Sequence, residues 1–300
     1  MKTTKKAAKS GRLSQYLTLL LLGIVGSLSY IGASPAHAAT THKLHFIQNT
    51  SSSTDFTQVH ALGYTLIDVG MDAATIRSLP AGTQAMVWVG NSQCSSFDVN
   101  YTDFKAFINA MGKDTTTNAR IYGYNISDEP DAGSCPQVVA AIKRRADYIH
   151  SHAGGQGKIA YISITDFPYK PLVPAKTDVD IYGIDPYPCH QNKNGCNLNE
   201  INNMVNAAVN AGIPESKLVP IYQAFGEECT NPRRYQWSLP SPSEMRTVFA
   251  RWDQVLPNAP IDVTYAWRHP GDNNEDSCPT LKDAQAKSLR AVYKDYLSKH

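Results

Sequence analysis

Eight short apolar runs recur along the chain, each stopping on turn or polar residues and each followed by a helix-like or irregular connection. They are Lys43–Gln48 (KLHFIQ), Tyr64–Gly70 (YTLIDVG), Gln84–Gly90 (QAMVWVG), Ile121–Asp131 (IYGYNISDEPD), Lys158–Ile164 (KIAYISI), Val179–Ile184 (VDIYGI), Leu218–Phe225 (LVPIYQAF) and Ile261–Trp267 (IDVTYAW). Their β-branched and aromatic content, bounded by Gly, Pro, Asn and Asp, predicts strands. Between them, helical periodicity is read over Asp55–Leu62, Asp72–Ser78, Thr102–Met111, Cys135–His152, Leu198–Ala211, Ser243–Leu256 and Leu281–Leu297. Asp72, Asn197 and Ser241 or Ser243 before Glu244 are candidate N-caps, and the three prolines in Asp166–Lys176 predict an irregular crossover. Strands that start about every 30 residues with helices between them pair in parallel through right-handed crossovers. Eight such units in one domain predict a single (β/α)₈ barrel. The rival is a doubly wound open sheet, which would bring a Gly-rich phosphate turn after its first strand; FIQNTSSST stands there instead.

The first 38 residues are set apart from that fold. Lys2, Lys5, Lys6, Lys9 and Arg12 precede an apolar core at Tyr16–Ile31, and Ala36-His37-Ala38 supplies an A-x-A site, the three parts of a secretory signal. The densest apolar part is short for a retained bilayer anchor. The expected division is therefore a leader over 1–38 and a barrel over 39–300, secreted and free of the membrane after cleavage. Five of the 28 basic residues leave with the leader, so 23 face 26 acidic ones and the net charge becomes −3. With no basic run, a nucleic-acid partner is not expected.

Cys94, Cys135, Cys189, Cys196, Cys229 and Cys278 are an even set in an exported chain, which favours disulfides. No CxxC or Cys/His zinc spacing occurs, and neither metal nor cofactor is expected. All six fall in loops after strand runs. Neighbouring strands bring neighbouring loops together, which predicts the pairs Cys94–Cys135, Cys189–Cys196 and Cys229–Cys278.

In a parallel barrel the loops after the strands share one rim, where active sites form. The residues that end the runs are Gln48 and Asn49, Asp68, Asn91, Asp128 and Glu129, Asp166, Asp185 and Tyr187, Gln223 with Glu227 and Glu228, and Trp267 with Arg268 and His269. Acids, amides and aromatics on one rim suit carbohydrate, because two carboxyl groups can divide protonation of a glycosidic oxygen and attack at the anomeric carbon. Glu129 has the reach and position for such work. Asp128, one residue earlier on an extended backbone, is expected to point the other way and to support the loop. Asp68, Asn91, Asp128, Tyr187, Gln223, Trp237, Trp267 and Arg268 are the expected substrate contacts, with Trp237 as an exposed stacking platform. Trp88, Tyr182, Tyr222 and Trp267 lie inside strand runs, where core packing competes with sugar stacking.

The Asp-Glu-Pro that ends the fourth run resembles the (Asn/Asp)-Glu-Pro of clan A (β/α)₈ glycoside hydrolases. IDPYP, IYQAFG and SLPSPSEMR resemble strand ends of bacterial glycosidases of this barrel type, and the resemblance extends from Ile121 to Trp267. It implies that Glu129 is a general acid/base, with Asp128 where the clan usually has Asn. It also implies a nucleophilic Glu at the end of the seventh strand, but Gln223-Ala224 stands there. Glu227 by curling back, or Asp185, is the expected substitute. The expectation is thus a monomeric secreted glycosidase acting on a polysaccharide or oligosaccharide. A catalytically silent glycan-binding barrel and a non-glycosidic hydrolase or lyase are the alternatives. No GxSxG, HExxH or P-loop is present, and DNNED at Asp272–Asp276 lacks EF-hand spacing.

Overall fold

The eight runs form eight strands. In a computed structural model describing residues 43–91, 96–166, 168–269 and 277–300, they are β1 (Leu44–Ile47), β2 (Leu66–Val69), β3 (Gln84–Trp88), β4 (Ile121–Ser127), β5 (Ile159–Ile164), β6 (Ile181–Ile184), β7 (Leu218–Gln223) and β8 (Ile261–Tyr265). Every neighbour pairs in parallel in chain order, and β8 returns to β1 through His45↔Asp262 and Phe46↔Val263, closing a (β/α)₈ barrel. The unit spans Thr41–His300, and the expected leader lies outside the described residues.

The helices follow their apolar stripes. Gln137–Ser151 buries Val138, Ile142, Ala146 and Ile149 at helical spacing. It also buries Arg145, whose guanidinium donates to the carbonyls of Val89 (3.0 Å) and Val99 (2.5 Å) and so ties down the loop after β3. Asp72 caps its helix through Ala74 N and Thr75 N, and Ser241 forms a capping box with Glu244. Three expectations need correction. Asn197 is not a cap: the helix Asn199–Ala211 starts after Leu198, and Asn197 donates instead to Glu200 Oε1 at 2.8 Å. The reading of Leu281–Leu297 as one helix holds only from Lys287, because Asp283 holds Thr280 in a turn and a 3₁₀ turn follows at Ala284–Ala286. The helix Thr115–Asn118 was not expected, since four residues carry no period.

Two of the predicted disulfides are present, Cys189–Cys196 and Cys229–Cys278. Cys135 is also disulfide-bonded, and its predicted partner Cys94 lies outside the described residues.

The barrel interior is layered. Phe46 and Tyr161 meet edge to face across it, with ring centroids 6.0 Å apart. Tyr161 has room because β6 contributes Gly183: a Cβ there would collide with the Tyr161 hydroxyl and lie 2.7 Å from Ile221 Cδ1. Above this plane the inward residues turn polar. Gly183→Ala should therefore destabilise the fold by about 1–3 kcal/mol. Tyr161→Phe in the same chain should recover part of that loss in thermal melts, since it removes the nearest colliding atom.

Candidate functional site

Gln48, Asp68, Trp88, Asn125, Ser163, Ile221 and Tyr265, one from each of seven strands or their ends, line a cavity of about 570 Å³ at the C-terminal mouth of the barrel. Asn49, Thr50, Asp128, Glu129, Tyr187, Phe225, Arg234 and Trp237 complete its wall. A second cavity, of about 450 Å³, is lined by Thr165, Asp166, Asp185, Pro186, His190, Glu200, Asn203, Met204 and Gln236. Glu129, Tyr187 and Trp237 line both, so they form the partition between the two.

The end of β4 delivers two carboxylates rather than one. The pairing of β4 with β5 slips between Asn125 and Ser127, a bulge that turns the strand's last residues. Asp128 N then donates to Asn91 O (2.7 Å) and Glu129 N to Ser163 O (3.1 Å). The Ser163 hydroxyl donates to Asp128. Asp128 thus lines the first cavity beside Glu129, which corrects the expectation that strict alternation would turn it away. Glu129 has φ 44°, and Asn49 (φ 60°) and Tyr187 (φ 42°) are likewise left-handed. All three line the first cavity, and such backbone costs roughly 1–3 kcal/mol each in residues with a Cβ.

The charges of Glu129 and Asp128 act on Asp185. Asp185 is 3% exposed and its Oδ1 has no hydrogen-bond partner. Burial and the charge of Glu129 hold Asp185 well above the usual carboxylate range. In the first cavity, burial raises Asp68 to about 7, reinforced by Asp128. Burial and Glu129 raise Asp128 to about 6 despite the Ser163 hydrogen bond. Asp68 Oδ2 accepts from Asn49 N at 3.1 Å, while Asp68 Oδ1 and Asn125 Oδ1 have no partner.

Aromatic rings supply the apolar face. Tyr187 packs edge to face on Phe225 (4.9 Å) and Trp237 (5.8 Å), and Phe225 on Tyr265 (5.4 Å). Trp237 is half-buried in this cluster rather than a fully exposed platform.

Other expected site residues serve the scaffold. The buried Glu227 carboxylate accepts from Gln236 N (2.7 Å) and Trp237 N (3.2 Å), and Glu228 accepts from Leu239 N (2.9 Å). Gln223 accepts from Cys189 N and donates to the carbonyls of Cys189, Phe225 and Ser238, clamping the loops after β6 and β7. Asn91 is buried and accepts from Ser127 Oγ at 2.8 Å. Trp267 is buried with its indole N–H on Asp55 Oδ1 at 2.9 Å. None of Asn91, Gln223, Glu227, Trp267 and Arg268 lines either cavity, whereas Asp68, Asp128, Glu129, Tyr187 and Trp237 line the first and Asp185 the second. Asn125, Ser163 and Arg234 were not read as site residues. The inward phase of β4 and β5 could have marked the first two, because a polar residue at a core position is itself a signal. Among the described residues no group of three or more His, Cys, Asp or Glu is placed to hold a metal ion.

No protein-family model matches the chain, and comparison with curated proteins found no match. Solved structures do match in fold. A chitinase from Chromobacterium violaceum aligns with TM-score 0.51 and 12% identity over 86% of this chain and 100% of its own. Fungal β-1,4-galactanases align with TM-score 0.56 and 12% identity over 85% and 94%. A Lactobacillus rhamnosus β-glucuronidase aligns with TM-score 0.54 and 12% identity over 86% of this chain and 50% of its own. The barrel is therefore one that glycosidases share.

Two predictions follow from the local chemistry. Asp68 and Asp128 bind protons more tightly folded than unfolded, so their contribution to stability is full below about pH 4 and is lost as pH rises to about 7. Asp68→Asn should accordingly stabilise the protein at pH 8 by about 1–3 kcal/mol and leave it unchanged at pH 4, read from denaturant melts at both values. Gln223→Glu should cost about 2–4 kcal/mol, because a carboxylate would replace the amide donor facing three carbonyls; it should not improve catalysis.

Proposed function

We propose that the chain is an exported glycoside hydrolase that cleaves a polysaccharide or oligosaccharide with Glu129 as general acid/base. The observation that carries this reading is the position of Glu129 in the partition between two cavities, with the buried Asp185 carboxyl near enough to feel its charge. A bond lying across that partition would have a sugar in each cavity and a proton donor beside its oxygen. The fold shared with a chitinase, galactanases and a glucuronidase supports the same class.

The division of labour follows from distance. Retaining glycosidases hold their two carboxyl groups about 5–5.5 Å apart and inverting ones about 6.5–9.5 Å, with the sugar between. Asp185, whose carboxyl feels the charge of Glu129, acts from the side of the second cavity and positions Glu129; the carboxylate facing the anomeric carbon then comes from Asp68 or Asp128, which line the first cavity with Glu129. As the leaving oxygen takes the proton from Glu129, Glu129 is left as a carboxylate, and the carboxylates of Asp68 and Asp128 stabilise the positive charge developing on the ring. The aromatic group of Tyr187, Phe225, Trp237 and Tyr265 offers faces on which sugar rings pack.

Export is supported by the leader-like N-terminus and by two disulfides. Among the described residues no helix is long and apolar enough to cross a membrane. The commitment of Gln223, Glu227 and Glu228 to backbone groups favours a second reading, a glycan-binding barrel without turnover. A panel of polysaccharides monitored for new reducing ends separates the two. Glu129→Gln should lower turnover by roughly 10³-fold with glycan affinity within about twofold. Binding by the unaltered protein with no released sugar on any substrate would establish the second reading. Asp185→Asn should move the alkaline limb of the pH–rate profile to lower pH, because a neutral amide then replaces the carboxyl whose charge is coupled to that of Glu129.

A further inference from the structure

The floor of the first cavity offers hydrogen-bond acceptors where a neutral sugar needs a mixture. Asp68 Oδ1 and Asn125 Oδ1 are buried, line this cavity and have no partner. Asn125 is 1% exposed. Trp88 stands between them in strand order, on β3 between β2 and β4, and its indole N–H is committed to Asp98 Oδ2 at 2.9 Å. What Trp88 gives the cavity is therefore its ring, not a donor.

Acids outnumber bases in the cavity lining. Asp68, Asp128 and Glu129 line the cavity against a single basic side chain, Arg234, which is exposed on the loop after β7. The second cavity adds Asp166, Asp185 and Glu200, of which Glu200 is paired with His190 at 2.9 Å. Burial and mutual repulsion keep Asp68 and Asp128 partly protonated near neutrality, at about 7 and about 6. A bound cation would release those protons and remove that cost. An ammonium group has three donors and no acceptor, and aromatic faces attract it. A uronate would meet like charge. The remaining unpartnered polar atom of the wall, Asn49 Nδ2, is a donor, which suits a ring hydroxyl.

We propose that the first cavity selects a sugar unit bearing a free, protonated amine, held over Trp88 by Asp68 and Asn125. The substrate class is then a glycan containing de-N-acetylated hexosamine. Its cleavage rests on the glycosidase reading above, whereas its binding does not.

The test compares hexosamine oligomers with free amines, their fully N-acetylated counterparts, neutral gluco- and galacto-oligomers and oligouronates, by calorimetry and by released reducing ends. The free-amine oligomers should bind at least about tenfold more tightly than the N-acetylated ones, the scale of one charge-assisted hydrogen bond. Near pH 6 binding should release protons, seen as a heat that varies with the ionisation enthalpy of the buffer. Asp68→Asn, expected to fold more stably at pH 8, should reduce the preference about tenfold and abolish most of that proton release. Equal or better binding and turnover of neutral or N-acetylated oligomers would overturn the inference and leave the glycosidase reading intact. Tight binding of free-amine oligomers with no turnover of any glycan would do the reverse. Binding of none of the oligomers would overturn the inference.

Discussion

Closure of the barrel is the constraint on which everything else rests. Because β8 pairs with β1 in parallel, all eight strands run the same way and no edge is left to pair with solvent or another chain. The same geometry sends every strand's last residue to one mouth, so side chains far apart in sequence meet there without any loop having to fold back. Asp68, Asn125, Ser163 and Asp185 converge for that reason alone. Beneath them the interior is filled by Phe46, Tyr161 and their neighbours, and the space taken by Tyr161 exists only because β6 has a glycine.

The fold was legible because its signal is repeated. Seven of the eight runs supplied a strand within a residue or two of their expected ends, the fourth stopping at Ser127, four residues before Asp131, and agreement among them compensated for weak evidence in any one. Helix starts were legible where a side chain commits locally, as at Asp72 and Ser241, and not where it has a partner outside the helix, as at Asn197. The two fully described disulfides followed from strand adjacency, a global property that six cysteines alone do not contain.

The site was legible by position and less so by role. Glu129 was expected on the rim and is there, but the direction of Asp128 depends on a bulge in β4 that no residue type announces. Glu227 looked like a free acid on a loop, yet a loop without regular pairing has backbone N–H groups to satisfy, and its carboxylate takes two of them. Gln223 shows the converse. Its position at the end of β7 suggested a substrate contact, but an amide that both donates and accepts is what the two loops need to hold each other.

These assignments explain how the mouth tolerates its own charge. Burial and neighbouring carboxylates raise the proton affinity of Asp68, Asp128 and Asp185, and three residues of the cavity wall hold left-handed backbone, so the region works against folding. The loops after β6 and β7 are held by Gln223, by Glu227 and by the Cys189–Cys196 and Cys229–Cys278 bridges, side chains that line neither cavity themselves. Stability is thus drawn from the outer part of the loops and expended at the centre. That separation is what allows buried acids to be kept close together at the mouth: were they free to move apart, water would solvate each carboxylate and Asp68, Asp128 and Asp185 would lose their raised proton affinity.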